Sequence, residues 1–344
     1  MDVGFQAINY KGGKANGING NGSSTSQLNI RGTEDLGGGL KANFRVETDW
    51  YTASNKANTG AGTTAVTGAD NTVAAASSFG NGEIRAGLSG NFGAINLGAV
   101  NYNTLNTYVT GQPFGTAIGS GFRTFYVNDA QATSQVRSDN SAMYVSPTFS
   151  GFNASLYYAG KQTKAVATSA VAATSFSTAM GAYDMQGTTE LGLNYANGPL
   201  AASFSTLKQD YKDVAAPGYS QTVNTLGANY AFGDAKLFGL YQTNKNDLAT
   251  GATNNKAYSI SGTYTMGAVV LMAQFGQLKN AADAKSKIWG LGADYNLSKR
   301  TAVYFRAESI DDKAGSVQAA LTPATIKGTD TTFARTAVGI RHAF

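Results

Sequence analysis

The sequence predicts an all-β fold, a 16-stranded antiparallel transmembrane β-barrel in which residues 1–344 form one domain. Three observations predict it. Strand-length segments alternate apolar and polar residues, and tight-turn sequences recur between them. In addition, no stretch approaches the roughly 20 apolar residues of a membrane-spanning helix. A barrel strand presents only every second residue to lipid, so modest overall hydrophobicity fits this fold.

Two segments show the alternation most clearly. In Leu40–Trp50, apolar residues and a threonine fall on one face, whereas Lys41, Asn43, Arg45, Glu47 and Asp49 fall on the other. The closing segment 336–344 places Val338, Ile340 and Phe344 on one face and Arg341 on the other. A period of two with unlike faces indicates β-strands.

Turn sequences set the expected strand number. Seven short segments rich in Gly, Asn, Asp or Pro separate paired strands: 34–39, 89–93, 146–151, 196–199, 231–234, 265–268 and 296–300. Seven hairpins and one strand at each terminus give sixteen strands. The remaining connections are long and polar: 11–25, 52–81, 102–136, 161–187, 209–219, 246–255, 279–285 and 311–331. Short turns at one end and long loops at the other are typical of outer-membrane barrels. Sixteen strands leave an aqueous lumen.

Composition excludes several function classes. The chain has no cysteine, which excludes disulfides, thiolate catalysis and thiolate metal sites. Its net charge is +5, but the basic residues are scattered singly, which argues against nucleic-acid binding. The lone His342 lies on an apolar face without a serine motif or a histidine cluster, so no catalytic residue, metal site or cofactor is expected. Because the N-terminus lacks the features of a signal peptide, we expect a mature form.

Three segments resemble the general trimeric porins of Gram-negative outer membranes, most closely their β-proteobacterial branch. The segment 30–42, with the letters IRGTEDLGGGLKA, resembles their second hairpin. Residues 139–152 are similar to their sixth and seventh strands, and 338–344 to their closing strand. The resemblance extends over the whole chain. It implies a homotrimer in the bacterial outer membrane, in contact with lipid and lipopolysaccharide.

The resemblance also implies that the third extracellular loop folds inward and narrows the pore. Residues 102–136 occupy the place of this constriction loop, and Gln112 with Pro113, Phe114 and Gly115 matches its tip. Two departures stand out. The family often has an acidic residue between the proline and the phenylalanine, and often Arg-Gln where this chain has Ala99-Val100.

The function implied is passive diffusion of small hydrophilic solutes with a preference for anions. Alternation places Arg31, Arg45 and Arg85 on the polar face of neighbouring strands at similar depth, where they form a basic row. Alternatively, these arginines pair with Glu47, Asp49 and Glu83 and only satisfy a polar lining. The remaining members of the predicted constriction and anion path are Arg123 and Asp129 in the loop, Arg137 after it, and Arg306, Arg335 and Arg341.

Other functions remain open at this point. A substrate-specific porin for a sugar or a small organic acid would carry an aromatic track along its lumen, for which Tyr157, Phe238 and Tyr304 are the scattered candidates. A barrel enzyme would require a better placed histidine. An adhesin or a purely structural barrel would have a plugged pore.

Overall fold

The computed structural model describes residues 1–10, 13–50, 52, 79–122, 126, 136–161, 184–212, 218–247, 254–314 and 332–344. Within these ranges the chain forms one helix, α1 (Asn103–Thr110), and 17 strands in a single sheet. The strands are β1 (Asp2–Tyr10), β2 (Gly13–Gly20), β3 (Ser26–Gly37), β4 (Leu40–Trp50), β5 (Ile84–Gly90), β6 (Gly93–Asn101), β7 (Arg137–Val145), β8 (Phe152–Ala159), β9 (Asp184–Asn197), β10 (Leu200–Lys212), β11 (Tyr219–Phe232), β12 (Ala235–Asn246), β13 (Asn254–Met266), β14 (Val269–Lys279), β15 (Lys285–Asn296), β16 (Thr301–Asp312) and β17 (Phe333–His342).

All the strand pairs are antiparallel. Ladders join each consecutive pair from β3 to β17. The last strand, β17, pairs with β1, and β1 pairs with β2. Each of the seven predicted turns joins two strands of a hairpin, from β3–β4 to β15–β16. Consecutive antiparallel strands bring all seven turns to one end of the sheet and the long connections to the other.

The β3–β4 turn shows why glycine is required. Gly37, Gly38 and Gly39 have φ values of 85°, 58° and 82°. These angles lie in the left-handed region, which costs other L-residues free energy but is open to glycine.

The strand number differs from the sixteen predicted, because residues 11–25 do not form one loop. Strand β2 lies within that range and pairs with β1 from Val3↔Gly20 to Tyr10↔Gly13. The Gly- and Asn-rich sequence of β2 is typical of a turn. The ladder nevertheless forms, since its hydrogen bonds come from the backbone and β1 offers a free edge.

The burial pattern of the strands is the inverse of that of a soluble protein. Buried positions are largely polar, such as Gln6, Gln221 and Thr225. Exposed positions carry large apolar side chains along every part of the sheet, among them Val3, Phe5, Leu28, Ile30, Phe44, Leu88, Leu97, Leu156, Leu193, Leu226, Leu237, Ile260, Leu291, Val303, Val338 and Ile340. An apolar outer face over a polar inner face is typical of a sheet that contacts lipid.

No described helix is long and apolar enough to cross a membrane.

Candidate functional site

The three predicted arginines of β3, β4 and β5 lie in one row across the sheet. Arg31 is the register partner of Arg45, and Arg45 is the register partner of Arg85. Directly opposite residues share a face, with Cβ atoms about 5 Å apart. The register therefore shows the three arginines on one face and at one depth of the sheet, as the alternation of the sequence predicted.

Two buried carboxylates lie beside this row. Arg45 Nη1 contacts Glu83 Oε2 at 2.7 Å, and Arg45 Nη2 forms an ion pair with Glu47. Arg85 Nε is 3.3 Å from Glu83 Oε1. The side chains of Glu47 and Glu83 are 6% and 8% exposed, whereas those of Arg45 and Arg85 are 28% and 26% exposed. Solvent at this surface therefore meets guanidinium groups before it meets carboxylates.

Amide side chains complete the arrangement. Arg45 Nε donates a 2.8 Å hydrogen bond to Asn29 Oδ1, and Arg85 Nη1 donates one of 2.7 Å to Asn43 Oδ1 and another to Asn96. Together with the carboxylates, these contacts hold two planar guanidinium groups in fixed orientations.

Arg31 and Arg137 extend the basic surface. Arg31 is exposed and makes no ion pair with a residue in the described ranges. Arg137, the first residue of β7, donates hydrogen bonds of 2.7 Å to Asn81 O and 3.3 Å to Asn101 Oδ1. The third acid weighed in the sequence, Asp49, accepts a 3.3 Å hydrogen bond from Gln27 Nε2. Its backbone N–H donates a 2.7 Å hydrogen bond to Asn81 Oδ1, which links it to the same region.

The three predicted arginines of β16 and β17 are also ion-paired. Arg306 Nη1 is 2.7 Å from Asp294 Oδ1, and Arg335 Nε is 2.8 Å from Glu308 Oε1. Their side chains are only 3% and 8% exposed, so both groups lie within the wall. Arg341 is 41% exposed and reaches Asp294 Oδ2 at 3.7 Å. Of the three, Arg341 is the one open to solvent.

The segment after β6 packs against the polar face of the sheet. The carboxylate of Glu190, on β9, accepts hydrogen bonds from the backbone N–H groups of Asn103 and Thr104 at 2.6 and 2.7 Å, and from Thr104 Oγ1 at 2.7 Å. It therefore caps α1, where an anion is favoured by the unpaired N–H groups and the helix dipole. Along the helix, Thr107 Oγ1 is 2.6 Å from Ser203 Oγ of β10.

The predicted tip of this segment is buried at Phe114 and half-buried at Pro113 and Gly115. Phe114 lies under the Arg306 guanidinium, whose carbon is 6.0 Å from the ring centroid. Gly115 has a φ of 59°, and its carbonyl accepts a 2.5 Å hydrogen bond from Gln112 Nε2. The tip therefore has an internally bonded turn that rests on the wall.

Beyond the tip, both a carboxylate and an apolar cluster hold the segment. Gly119 N donates a 2.7 Å hydrogen bond to Glu308 Oε2, the carboxylate that also pairs with Arg335. Tyr108, Phe122 and Tyr126 pack together and join a buried cluster with residues of β12 to β17, namely Leu240, Ala257, Leu278, Ile288, Ile310 and Phe333. The other two predicted loop residues, Arg123 and Asp129, lie outside the described residues.

Sequence reasoning did not identify the carboxylates that organise these contacts. Glu190 and Glu308 are acids at inward positions of long alternating strands. That pattern could have indicated that they bind groups packed against the polar face of the sheet. Glu83 was weighed only as a neutralising partner, although it bridges two arginines.

The lone His342 contacts a different part of the sheet, where its Nδ1 is 2.8 Å from Thr301 Oγ1. The described residues contain no group of side chains suited to a metal ion.

Several known proteins are similar to this chain. Residues 1–315 match the family model described as Gram-negative porin. The chain is 32% identical to outer membrane porin protein 32 of Delftia acidovorans, over 95% of this chain and 87% of that protein. Among solved structures, the anion-selective porin from Comamonas acidovorans matches with a TM-score of 0.74 and 29% identity, over 100% of this chain and 99% of that chain.

A more distant structure shows the same fold. OmpT of Vibrio cholerae, in a trimer form, matches with a TM-score of 0.64 and 15% identity, over 100% of this chain and 98% of that chain. The family match over most of the chain and the identity to the Delftia porin identify the class of protein. The chain belongs to the Gram-negative porin family, and it is an outer-membrane channel rather than an enzyme.

Proposed function

We propose that this porin is a homotrimeric channel through which small hydrophilic solutes diffuse passively, with a preference for small anions. One observation carries the preference. The row Arg31, Arg45 and Arg85 lies in register, and its guanidinium groups are more exposed than the carboxylates beside them. A fixed positive surface in a narrow, low-dielectric passage raises the local concentration of anions. The similarity to an anion-selective porin supports this direction of selectivity.

The pore is formed by closure of the sheet into a barrel. The ladders leave β2 and β3 as the two edge strands of the sheet, and only residues 21–25 connect these two strands. Asp2 bridges this point. Its backbone N–H donates a 2.8 Å hydrogen bond to Ser26 Oγ of β3, and its carboxylate accepts hydrogen bonds of 2.8 Å from the N–H groups of Ser23 and Ser24. These contacts support a barrel in which one seam is held by Asp2.

The constriction is formed by residues 102–136, the third extracellular loop, folded inward. Contacts of α1 with β9 and β10, and of Gly119 with β16, support this placement for the described part of the loop. The backbone also fits closely there, because a Cβ at Gly227 of β11 would overlap Thr107 O. The constriction then lies between the loop and the Arg31, Arg45 and Arg85 row.

The trimer and the lipid contacts are part of the same proposal. A trimer form is known for the similar OmpT fold, and the apolar outer face fits lipid and lipopolysaccharide. The substrate-specific alternative gains no support from the three aromatic candidates. Tyr157 and Tyr304 are buried and hydrogen-bonded within the wall, to Ser138 O and Asp2 Oδ1, and do not form a track with Phe238.

The selectivity is tested by the zero-current potential of the purified porin in a planar bilayer under a KCl gradient. We expect an open channel and a potential with the sign set by chloride flux. Arg300→Gln, which removes an exposed positive charge from a short turn, serves as the control and should leave the potential unchanged. A cation-selective potential would disprove the anion preference, and the absence of conductance would disprove the channel.

The inward loop is tested by disulfide trapping. The natural chain has no cysteine, so Thr107→Cys with Ser203→Cys introduces one defined pair at positions whose hydroxyl oxygens are 2.6 Å apart. We expect a disulfide to form in the folded porin with conductance close to that of the parent. Two results together would show that the loop lies away from the wall: no disulfide forms under oxidation, and a bulky thiol reagent freely labels the Thr107→Cys single variant.

A further inference from the structure

A second row of like charges crosses the sheet, on the opposite face from the arginines. Lys256 is the register partner of Lys279, and Lys279 is the register partner of Lys285. On each of the strands β13, β14 and β15, the lysine shares its face with exposed apolar residues further along, namely Ile260, Leu271, Trp289 and Leu291. The lysine row is therefore on the outer face, at the end of the sheet that carries the long connections.

This arrangement is electrostatically unfavourable by itself. Like charges directly opposite each other destabilise a strand pair. Within the described residues, one carboxylate relieves the row: Asp283 Oδ1 is 2.6 Å from Lys279 Nζ. The hydrogen bond and the charge of Lys279, with the charges of Lys285 and Lys256, lower the pKa of Asp283. One exposed acid faces three ammonium groups, so the row keeps an excess of positive charge.

A fourth lysine broadens the row into a patch. Lys287 lies two residues beyond Lys285 on the same face of β15 and pairs in register with Gln277 on one side and Asp311 on the other. Asp311 also lies 3.6 Å from Lys313. The patch formed by Lys256, Lys279, Lys285 and Lys287 thus offers several mobile ammonium groups over a small area, which suits a ligand with more than one negative charge.

An aromatic row lies next to the lysine patch, toward the middle of the sheet. Phe275 and Trp289 are register partners, their ring centroids are 4.5 Å apart, and Tyr258 stands 6.4 Å from Phe275. The Trp289 side chain is 59% exposed. Trp289 lies four positions after Lys285, about 13 Å along an extended strand. Leu291 and Ile260 continue the surface with aliphatic side chains.

The order of these side chains matches the cross-section of a lipid leaflet. Aromatic residues favour the boundary between head groups and acyl chains, aliphatic residues favour the acyl chains, and lysines beyond the boundary meet the phosphates. We infer that the patch Lys256, Lys279, Lys285 and Lys287 is a binding site for the phosphorylated head group of an outer-leaflet lipid. The assignment to the outer leaflet rests on the proposed orientation, with the long connections outside. No bridging cation is required, because the lysines contact the phosphates directly.

The proposal is tested by lipid retention on the intact, detergent-purified porin. The protein is incubated with diphosphoryl lipid A, and bound lipid is counted by native mass spectrometry. Fluorescence of Trp289 in a Trp50→Phe background, quenched by lipid with brominated acyl chains, gives a second readout at the site itself. Lys279→Gln with Lys285→Gln is expected to weaken binding roughly 30-fold, since each lysine near a phosphate surface contributes about 1 kcal/mol and every 1.4 kcal/mol is about tenfold in affinity.

Matched variants separate this site from general surface charge. Lys299→Gln with Arg300→Gln removes two exposed positive charges at the short-turn end and should leave lipid A binding unchanged. A similar loss in this control would overturn the site. Equal binding of dephosphorylated lipid A would also overturn it, and complete displacement by millimolar inorganic phosphate would show a free-anion site instead of a lipid site. The zero-current potential of the Lys279 and Lys285 variant should equal that of the parent, so failure here is distinguishable from failure of the proposed channel function.

Discussion

The inner arginine row and the outer lysine row are built on the same register principle but differ in how their charges are held. Arg45 and Arg85 share buried carboxylates and asparagine oxygens, which fix their guanidinium planes. In the lysine row, Lys279 alone has a paired carboxylate within the described residues, and that carboxylate is 78% exposed. Fixed charges suit a filter past which solutes must move without being trapped, whereas mobile ammonium groups suit a surface that adapts to a bound head group.

The largest change is expected from Arg45→Ala, which breaks the inner row at its centre. The substitution removes one positive charge and leaves Glu47 without its ion-pair partner. A unit charge acts with about 1 kcal/mol at 4 Å even in water, which corresponds to about a fivefold change in a population ratio. We therefore expect the chloride-over-potassium permeability ratio to fall at least severalfold and the zero-current potential to move toward the value set by potassium flux.

Arg45→Lys is the control for Arg45→Ala, because it keeps the charge and loses the forked geometry. It should retain anion preference, with a smaller permeability ratio than the parent. If Arg45→Ala is correctly assembled and leaves the potential unchanged, the row is a structural lining only and the comparison between the two rows fails.

A smaller effect in the same direction is expected from Arg31→Gln. Arg31 is exposed and has no ion-pair partner in the described residues, so its removal leaves no buried carboxylate unpaired. The anion preference should fall about two- to fivefold, while the free energy of unfolding should change by less than about 0.5 kcal/mol, as for other exposed positions. Parallel measurements of the potential and of the thermal dissociation of the assembly check both parts. A loss of stability equal to that of Arg45→Ala would show that Arg31 is structural.

The positions of the inner arginine row were predicted from the sequence, whereas strand β2 and the contact between Glu190 and α1 were not. Alternation and turn positions were enough to bring Arg31, Arg45 and Arg85 into register, because each strand is anchored by a tight turn a few residues away. The predicted strand count missed β2, whose turn-like sequence pairs through its backbone. The contact between Glu190 and α1 joins positions 86 and 87 residues apart, which no local pattern reveals.

The lysine row was equally visible in the sequence, yet it was not predicted. Lys256, Lys279 and Lys285 stand at the ends of three successive strands, next to predicted long connections. Such positions resemble ordinary solvated loop charge. The register of β13, β14 and β15 is required to show that the three side chains are adjacent, and the burial pattern is required to show that they share a face with Trp289.

Each row contains an acid that can be neutralised, and in the inner row the variant is Glu83→Gln. Glu83 bridges Arg45 and Arg85 while its side chain is 8% exposed. Removing its charge should raise the anion preference, opposite in sign to the arginine variants, because the guanidinium charges are then less compensated. It should also lower stability, since breaking a largely buried ion pair leaves its partners unsatisfied. A fall in anion preference would show that Glu83 acts only by orienting the arginines.

The corresponding change in the outer row, Asp283→Asn, should be the mildest. Asp283 is largely exposed, so we expect no measurable loss of stability and an increase of about two- to threefold in binding of diphosphoryl lipid A, from the loss of one opposing charge. Because the neighbouring lysines lower its pKa, the carboxylate is ionised throughout the pH range above the ordinary Asp value of about 3.9. The stabilisation from this exposed pair is too small to measure; it is present above that value and is lost only as the pH falls through the lower pKa of the folded protein. Asp283 therefore stays charged at pH 6 and at pH 8, so a change in lipid binding between these values reflects the lipid phosphates, whose second pKa is about 6, and not the titration of Asp283. Unchanged lipid binding would mean that Asp283 does not compete with phosphate for Lys279, and a marked loss of stability would remove the contrast between a fixed inner row and a mobile outer one.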